Sequence, residues 1–579
     1  MVNTSKYIGL LIDYNKTFMK RSKKIAIQII IYLLLLVINA YGQDISTLKN
    51  QKPFKINGGF RLGTSYYNTQ NRNNFRNPFA YIISGHTTVS IYGIRFPFSI
   101  SLHDNKFDFS RPHNRFSLKP RYKWIKAYLG HSNMSFSPYS LAGHTFWGAG
   151  VDLSPGKLRF SAMYGNLENI NYQTDTVITA NELLRPYKRR AYAFKLGIGN
   201  ASNYFDLNFF NAKDILHSTN IYPGYNPAKN TIIGFSSRFK IFKRISFNGN
   251  IAASFLTINI NAERIDSLLD LNNKILSNII DLTGANITSR ANLAGDAKIS
   301  LDLKKFSIGL SYKRVDPLYT SFGAQYFYND FENTTVNTSL KLLKSKIRLK
   351  GSYGLQRNNL SNLRSISNYR TIGSANIFVL ANKHLSINAR YSNYQNEQKN
   401  GFLILNDTLR LAQVNERFSV SPGYNFGNKE IKHSIRLTSS YQKFNFTNNP
   451  NITVKNNNIK SVFLNYSLKH KESKTGFKIG FNYNNTHYNT KDNTRFGISL
   501  GGKKQLLNKK LRLRLNTSFN KVYTNGQSDG NIFSARFSSN YTLDKKQKLT
   551  FNFSWMNKNT NLQKAYSQIR GRFSYSLTF

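Results

Sequence analysis

The chain has 579 residues, a formal net charge of +54, 14% aromatic residues and no cysteine. The missing cysteine excludes disulfide frameworks, thiolate nucleophiles, cysteine-ligated metals and a lipidated N-terminal cysteine. A soluble chain of this length ordinarily divides into several domains, but no Pro/Gly/Ser-rich spacer or low-complexity run separates any part of it, which favours one large repetitive unit.

At the N-terminus, Lys20, Arg21, Lys23 and Lys24 precede an apolar stretch, Ile25 to Ile38, interrupted only by Gln28 and followed by Ala40-Tyr41-Gly42. A basic region, a short apolar core and a small-x-small site read as a cleaved signal peptide over residues 1–42, with Met19 as an alternative start. The apolar stretch falls short of the ~20 residues of a spanning helix, so an uncleaved anchor is the weaker reading. Removing residues 1–42, with six basic residues and one acid, lowers the charge from +54 to +49. A short periplasmic segment, residues 43–53, would follow.

From Phe54 the pattern has a period of two. In "FKINGGFRLGTSY" Phe54, Ile56, Phe60, Leu62 and Tyr66 alternate with Lys55, Asn57, Arg61 and Ser65. The same alternation sets Ile347, Leu349, Tyr353 and Leu355 against Arg348, Lys350, Ser352 and Gln356, and Phe477, Ile479, Phe481 and Tyr483 against Lys478, Asn482 and Asn484. Near the end, "KLRLRLNTSFN" sets Leu511, Leu513, Leu515 and Phe519 against Arg512, Arg514 and Asn516. Successive side chains of a strand point to opposite faces, so each segment is a ribbon with one apolar and one polar side. The strands look about 10 to 13 residues long, nearer the ~9–11 of a tilted bilayer-spanning strand than the ~5–6 of soluble sheets. Tyr (35) and Phe (43) are abundant, as interfacial girdles require.

Short basic turns interrupt the alternation at Pro155-Gly156, Phe242-Lys243, Lys304-Lys305, Lys344-Ser345, Asn382-Lys383, Asn428-Lys429, Lys471, Asn508-Lys509 and Asp544-Lys545. Each later interval has room for two strands and a longer, Asn-rich loop, so all tight turns fall at one rim. Counting strands by these turns gives 20 after Pro155 and six before it, hence about 26, within 24 to 28.

The final stretch, "IRGRFSYSLTF", alternates Phe573, Tyr575, Leu577 and Phe579 on one side and ends on Phe579. It resembles the C-terminal strand of Gram-negative outer-membrane β-barrels. The resemblance implies an all-β fold, an antiparallel up-and-down transmembrane barrel over residues 54–579, recognised by the barrel assembly machinery and seated in outer-membrane lipid. Within that fold Lys55, Arg61, Arg348, Lys350, Lys478, Arg512 and Arg514 would face an aqueous lumen, because a charge on the lipid side costs about 2–4 kcal/mol at the midplane.

Strands spaced ~4.8 Å apart and tilted ~40° enclose, at 26, a barrel roughly 50 Å across. A hole of that width would breach the membrane's barrier. The lumen is therefore expected to hold inward-folded loops, the segment Gln43 to Pro53, or a periplasmic or surface protein as plug. Residues 258–294 are the expected structured insertion. Ile265, Leu268, Leu269, Ile275, Leu276, Ile279 and Ile280 fall at helical spacing, predicting a short helix near 263–283 that serves as a packed external loop or as a gate. Residues 168–190 and 394–415 are other long loops, and "RVDPLYTSFGAQYFYNDFEN", Arg314 to Asn333, reads as strand and loop only.

A basic lumen would concentrate anionic solutes or acidic polysaccharide, or merely solvate a Lys-rich composition. Nucleic acid is excluded as partner, because the aromatic residues share the apolar register and not the basic one. No catalytic residue, cofactor site or metal site stands out: there is no His-Glu-x-x-His, Walker loop or Gly-x-Ser-x-Gly elbow, and His131 and His144 read as interfacial histidines. Two functions stay open. One is a gated or plugged porin-like channel or translocon component for bulky or anionic cargo, without the large plug domain of energy-coupled receptors. The other is a structural or adhesive barrel anchoring a surface partner through its external loops.

Overall fold

The structure, a computed structural model, describes residues 52–71, 77–103, 115–167, 187–215, 226–265, 274–324, 329–364, 366–400, 412–447, 457–561 and 563–579. The expected signal peptide, most of segment 43–53, most of loop 168–190 and the middle of loop 394–415 lie outside the described residues.

The alternating ribbons are antiparallel strands, each paired with its sequence neighbours in one sheet. The first strand, Phe54–Gln70, also pairs with the last, Gln563–Thr578, from Gly59 opposite Thr578 to Gln70 opposite Ser567, and the sheet closes. At this seam Gly58 and Phe579 exchange backbone bonds of 2.7 and 2.9 Å. A side chain at Gly58 would meet the His86 carbonyl at 2.6 Å and the Phe579 ring at 2.9 Å, so the closing aromatic occupies space that only glycine leaves free. Of the 27 strands, Arg115–Leu118 and Arg121–Tyr122 share one position between Ile94–His103 and Ile125–Ser135. They are separated at Lys119-Pro120, where proline has no N–H to give the sheet. The wall therefore has 26 positions, twenty after Pro155 and six before it, as the turn count predicts.

The basic turns lie together at one rim, here the turn rim. Several are left-handed pairs, such as Phe242 and Lys243 (φ 48° and 59°) and Asn508 and Lys509 (φ 49° and 74°), which follow the strands' own twist. A further turn at Asn200–Asn203 is closed by the Asn200 side chain, which accepts from the Ser202 and Asn203 amides at 2.9 Å. Connections at the opposite, loop rim are long up to residue 457, but those after Tyr488, Thr524 and Thr560 have two residues. There the Asn-rich runs expected as loops continue the strands. Their amides bond across the sheet instead, Asn484 to Ser461 at 2.6 Å and Asn482 to Asn520 at 2.9 Å.

Directly opposed residues of antiparallel strands share a face, so the two sides can be followed around the wall. One row runs Leu464, Phe481, Ile498, Phe519, Phe533. Another runs Ser467, Lys478, Gly501, Asn516, Arg536, Ser554, Arg570, Tyr67. Leu464, Phe481, Ile498 and Phe519 are each 40–50% exposed, and similar apolar residues recur around the whole circumference. An apolar surface of that extent far exceeds the largest patches of soluble monomers, and hydrocarbon is the solvent that matches it. The closed, even-numbered antiparallel wall with an apolar exterior is the architecture of the outer-membrane β-barrels.

Candidate functional site

The barrel has a core, and it lies against the inner face. Two connections at the loop rim turn inward: Phe136–Leu141, between Ile125–Ser135 and Ala142–Leu153, and residues 316–324, following Phe306–Val315. Tyr139, Leu141 and Phe146 from the first region and Tyr319 from the second are buried to within 1%. Met134, Phe136, Met163 and Phe322 belong to the same cluster, with Phe210, Ile232 and Val315 from the wall.

The loops hold each other. The Tyr319 hydroxyl donates to the Tyr139 carbonyl at 2.9 Å, the Ser321 hydroxyl donates to the Ser140 carbonyl at 2.6 Å, and the Ala142 amide donates to the Gly323 carbonyl at 3.0 Å. The two tyrosine rings meet edge to face at 6.3 Å. Both loops also hold the wall. Tyr139 reaches halfway down the barrel to donate a 2.7 Å bond to Asp296, in the middle of Ser289–Asp302, and Asn250 donates to the same carboxylate. The Phe322 amide donates to Asn230 at 3.1 Å, and Ser254 donates to the Thr320 carbonyl at 2.7 Å. Arg189 lies over the Phe322 ring at 3.3 Å while forming two bonds, 2.7 and 3.0 Å, to buried Asp214. Burial and, for Tyr139, the bond to Asp296 hold both tyrosine phenols far above their ordinary ionisation range.

The wall makes room for this filling. Ala191, Ala193, Ala212, Ala252 and Ala294 are all on the packed face and all buried, standing where bulkier side chains would collide with the loops. Four of their strand neighbours on the other face, Tyr192, Phe194, Ile251 and Leu293, are large and exposed. Nearly all fully buried side chains lie between Ser117 and Asp330, so the filling is one-sided.

On the remaining wall the polar row is open. Lys350, with Lys298, Arg390 and Arg417, lines a concavity of about 930 Å³ otherwise rich in serine and asparagine. Lys478 and Arg514 line a second, with Arg436, Lys469 and Lys503, and Lys55 lines a third, with Arg95 and Arg121. Arg61 stands in register with Ser84 and Ser576, Arg348 lies over the Phe378 ring at 4.2 Å, and Arg512 faces Gln505. These residues are thus distributed around the barrel and not gathered at one point. Phe573 faces Phe551 and Thr64, Tyr575 bonds Gln547 at 3.0 Å, Leu577 faces Phe60, and Phe579 closes the seam.

Among the described residues, the helical segment contributes nothing to this buried cluster. A helix spans Lys274–Thr283 and bridges two strand ends at the loop rim; Asp281 and Leu282 are exposed, Ile280 is buried, and Gly284 lies beside the Lys229 ammonium. None of its described contacts reaches Asp296 or the two inner loops. The segment that does, Asp316 to Gly323, lies in the stretch that reads from sequence as strand and loop only. Its signal is chemical: "PLYTSFG" and "FSPYSLAG" are connections without a charged residue, and a connection in water has no reason to be so apolar.

His131 packs on Trp147 at 4.5 Å and accepts from the Phe116 amide, and His144 bonds the Thr145 carbonyl. Among the described residues no group of three or more His, Asp or Glu could hold a metal.

No family model and no curated protein matches the chain. Among solved structures, the P pilus usher (PapC) translocation pore is similar over 90% of this chain and 99% of its own, at 11% identity and a TM-score of 0.35. OccAB2 of Acinetobacter baumannii matches over 65% and 97%, at 12% identity and 0.30. OccK8 (OprE) of Pseudomonas aeruginosa matches over 68% and 98%, at 11% and 0.29. Scores this low bear on neither family nor cargo.

Proposed function

We propose that this chain is an outer-membrane channel narrowed along one side by two of its own docked loops, with the turn rim in the periplasm and a basic lumen suited to anionic or bulky cargo. The observation that carries the reading is the interlock of Tyr139, Ser140, Tyr319 and Ser321 inside the wall. Five large loop side chains, Phe136, Tyr139, Leu141, Tyr319 and Phe322, are buried there. At about 2 kcal/mol each they hold the closed arrangement by on the order of 10 kcal/mol, an upper figure. The docked arrangement therefore dominates at rest, and cargo or a partner must supply the energy of releasing the loops.

Export through a cleaved signal peptide and insertion of the Phe573–Phe579 strand by the barrel assembly machinery complete the proposal. A second reading, a barrel that displays a surface partner, is favoured by strand length. The strands from Ala412 onward run 14 to 17 residues, more than the ~9–11 needed to cross the bilayer, and raise a rigid polar rim beyond it. Planar-bilayer recording separates the two. Wild-type protein is expected to carry an anion-preferring current, and a variant with residues 137–140 replaced by two glycines a clearly larger one. A silent variant of intact fold overturns the channel and leaves the anchor.

A further inference from the structure

Register places like charges face to face at the turn rim. Lys503 is directly opposite Arg514, Lys432 opposite Lys469, Lys341 opposite Arg348, and Arg121 opposite both Arg95 and Lys126. Each pair lies within the last few residues of its strands at that rim. Directly opposed like charges disfavour strand pairing, and a wall concerned only with solubility could stagger them or alternate them with acids. Elsewhere this chain does so: Glu332 stands between Arg314 and Arg357 at 3.6 and 3.4 Å, and Asp206 and Asp214 neutralise Arg159 and Arg189.

One such patch spans five consecutive strands, from Ile431–Thr447 to Leu511–Thr524, and offers Arg436, Lys469, Lys478, Lys503 and Arg514 on the polar face. No acidic residue lines this concavity of about 460 Å³, and none of the five cations has an ion-pair partner among the described residues. At ~4.8 Å per strand the track is roughly 19 Å long, too long for a single monovalent solute. Ser434, Asn465, Ser467 and Asn516 stand between the cations with hydroxyls and amides that pair with sugar hydroxyls. No ring stands between the cations: Phe463 shares their face but lies beyond Asn465, and Phe477 belongs to the apolar row, so the patch offers no run of platforms for stacked bases.

We propose that this patch binds an extended anionic oligosaccharide, its acid groups neutralising the opposed cations, and that the chain meets this ligand at the turn rim before the loops open. The proposal rests on the reading of a water-filled lumen and deepens it by naming a ligand class and a side of entry.

The test uses the full-length protein in nanodiscs and labelled tetragalacturonate, read by fluorescence anisotropy without voltage or flux. The outcome is thereby separate from whether the barrel conducts. Binding is expected to weaken at least tenfold in K478Q/K503Q/R514Q and to fall steeply with added salt, while maltotetraose fails to compete. The single variant R514Q is expected to weaken binding several-fold while keeping or raising the thermal midpoint, because it relieves a like-charge contact. Failure of tetragalacturonate to bind, unchanged affinity in the triple variant, equal competition by maltotetraose, or a lowered midpoint in R514Q overturns the proposal. Tighter competition by tripolyphosphate or tetraglutamate than by unlabelled tetragalacturonate overturns the assignment to a sugar acid.

Discussion

Replacing Tyr139 by Phe is expected to loosen the inner loops while leaving the wall intact. The buried phenol donates 2.7 Å to Asp296, and a hydrogen bond to a charged acceptor contributes about 1.5–3 kcal/mol. Asp296 keeps Asn250 as a donor at 3.2 and 3.3 Å and faces Lys313 across the strand pair. The carboxylate is thus not orphaned, and the low end of that range applies. About 1.5 kcal/mol shifts the docked-to-released ratio of the loop roughly tenfold. The chain has no cysteine, so Ser140→Cys, at a fully buried position, supplies a unique thiol. Its modification by a bulky maleimide reports the fraction of time the loop is released. Y139F in this background is expected to label about tenfold faster. Asp296→Asn added to Y139F should change the rate little, since the bond they share is already lost. Equal labelling of the S140C protein with and without Y139F, with an exposed reference thiol at Asn525 unaffected, would refute the claim that this bond latches the loop.

Arg189→Met leaves Asp214 buried with only the Ala228 amide at 3.0 Å. A broken buried pair costs about 3–5 kcal/mol, so the heat-modifiability midpoint on gels should drop clearly and recover in R189M/D214L; a double variant as unstable as the single one would count against the pairing argument. The raised phenols of Tyr139 and Tyr319 predict alkaline release. Released loops ionise their tyrosines near pH 10 while docked loops keep the protons. The docking energy is therefore constant below about pH 10 and is lost above it, with labelling of S140C accelerating by up to about tenfold per phenol by pH 11. Tyr319→Phe should remove one of the two factors. Gly58→Val drives a side chain into Phe579 and His86 and should reduce the closed-barrel fraction measured by gel mobility. Normal closure would show that the ring has somewhere else to go.

The fold was legible because a period of two repeats through the whole chain and the basic turns punctuate it. The split at Lys119-Pro120 was covered by the same count, since both short pieces occupy one place in the wall. What fills the barrel was less legible. Inward folding of loops was foreseeable from barrel width alone, but helical periodicity near residue 275 is the more conspicuous local signal, whereas Tyr139 and Tyr319 owe their positions to partners 180 and 157 residues away in sequence. The alanines at positions 191, 193, 212, 252 and 294 would have pointed to the packed side of the wall, being the small members of otherwise bulky strands. The like-charge pairs at the turn rim require register, which alternation alone does not specify.

The short joint at residues 115–122 bears on how this cylinder would fail. The seam between the first and last strands is secured by twelve opposed pairs, whereas the joint, among the described residues, has five pairs on one side and four on the other. A hoop under tension parts at its weakest weld. When pulled mechanically or stripped by denaturant, the wall should therefore tear open between Ile94–His103 and Ile125–Ser135 while its two chain ends still cling together, so that unzipping starts from an internal break and not from a terminus.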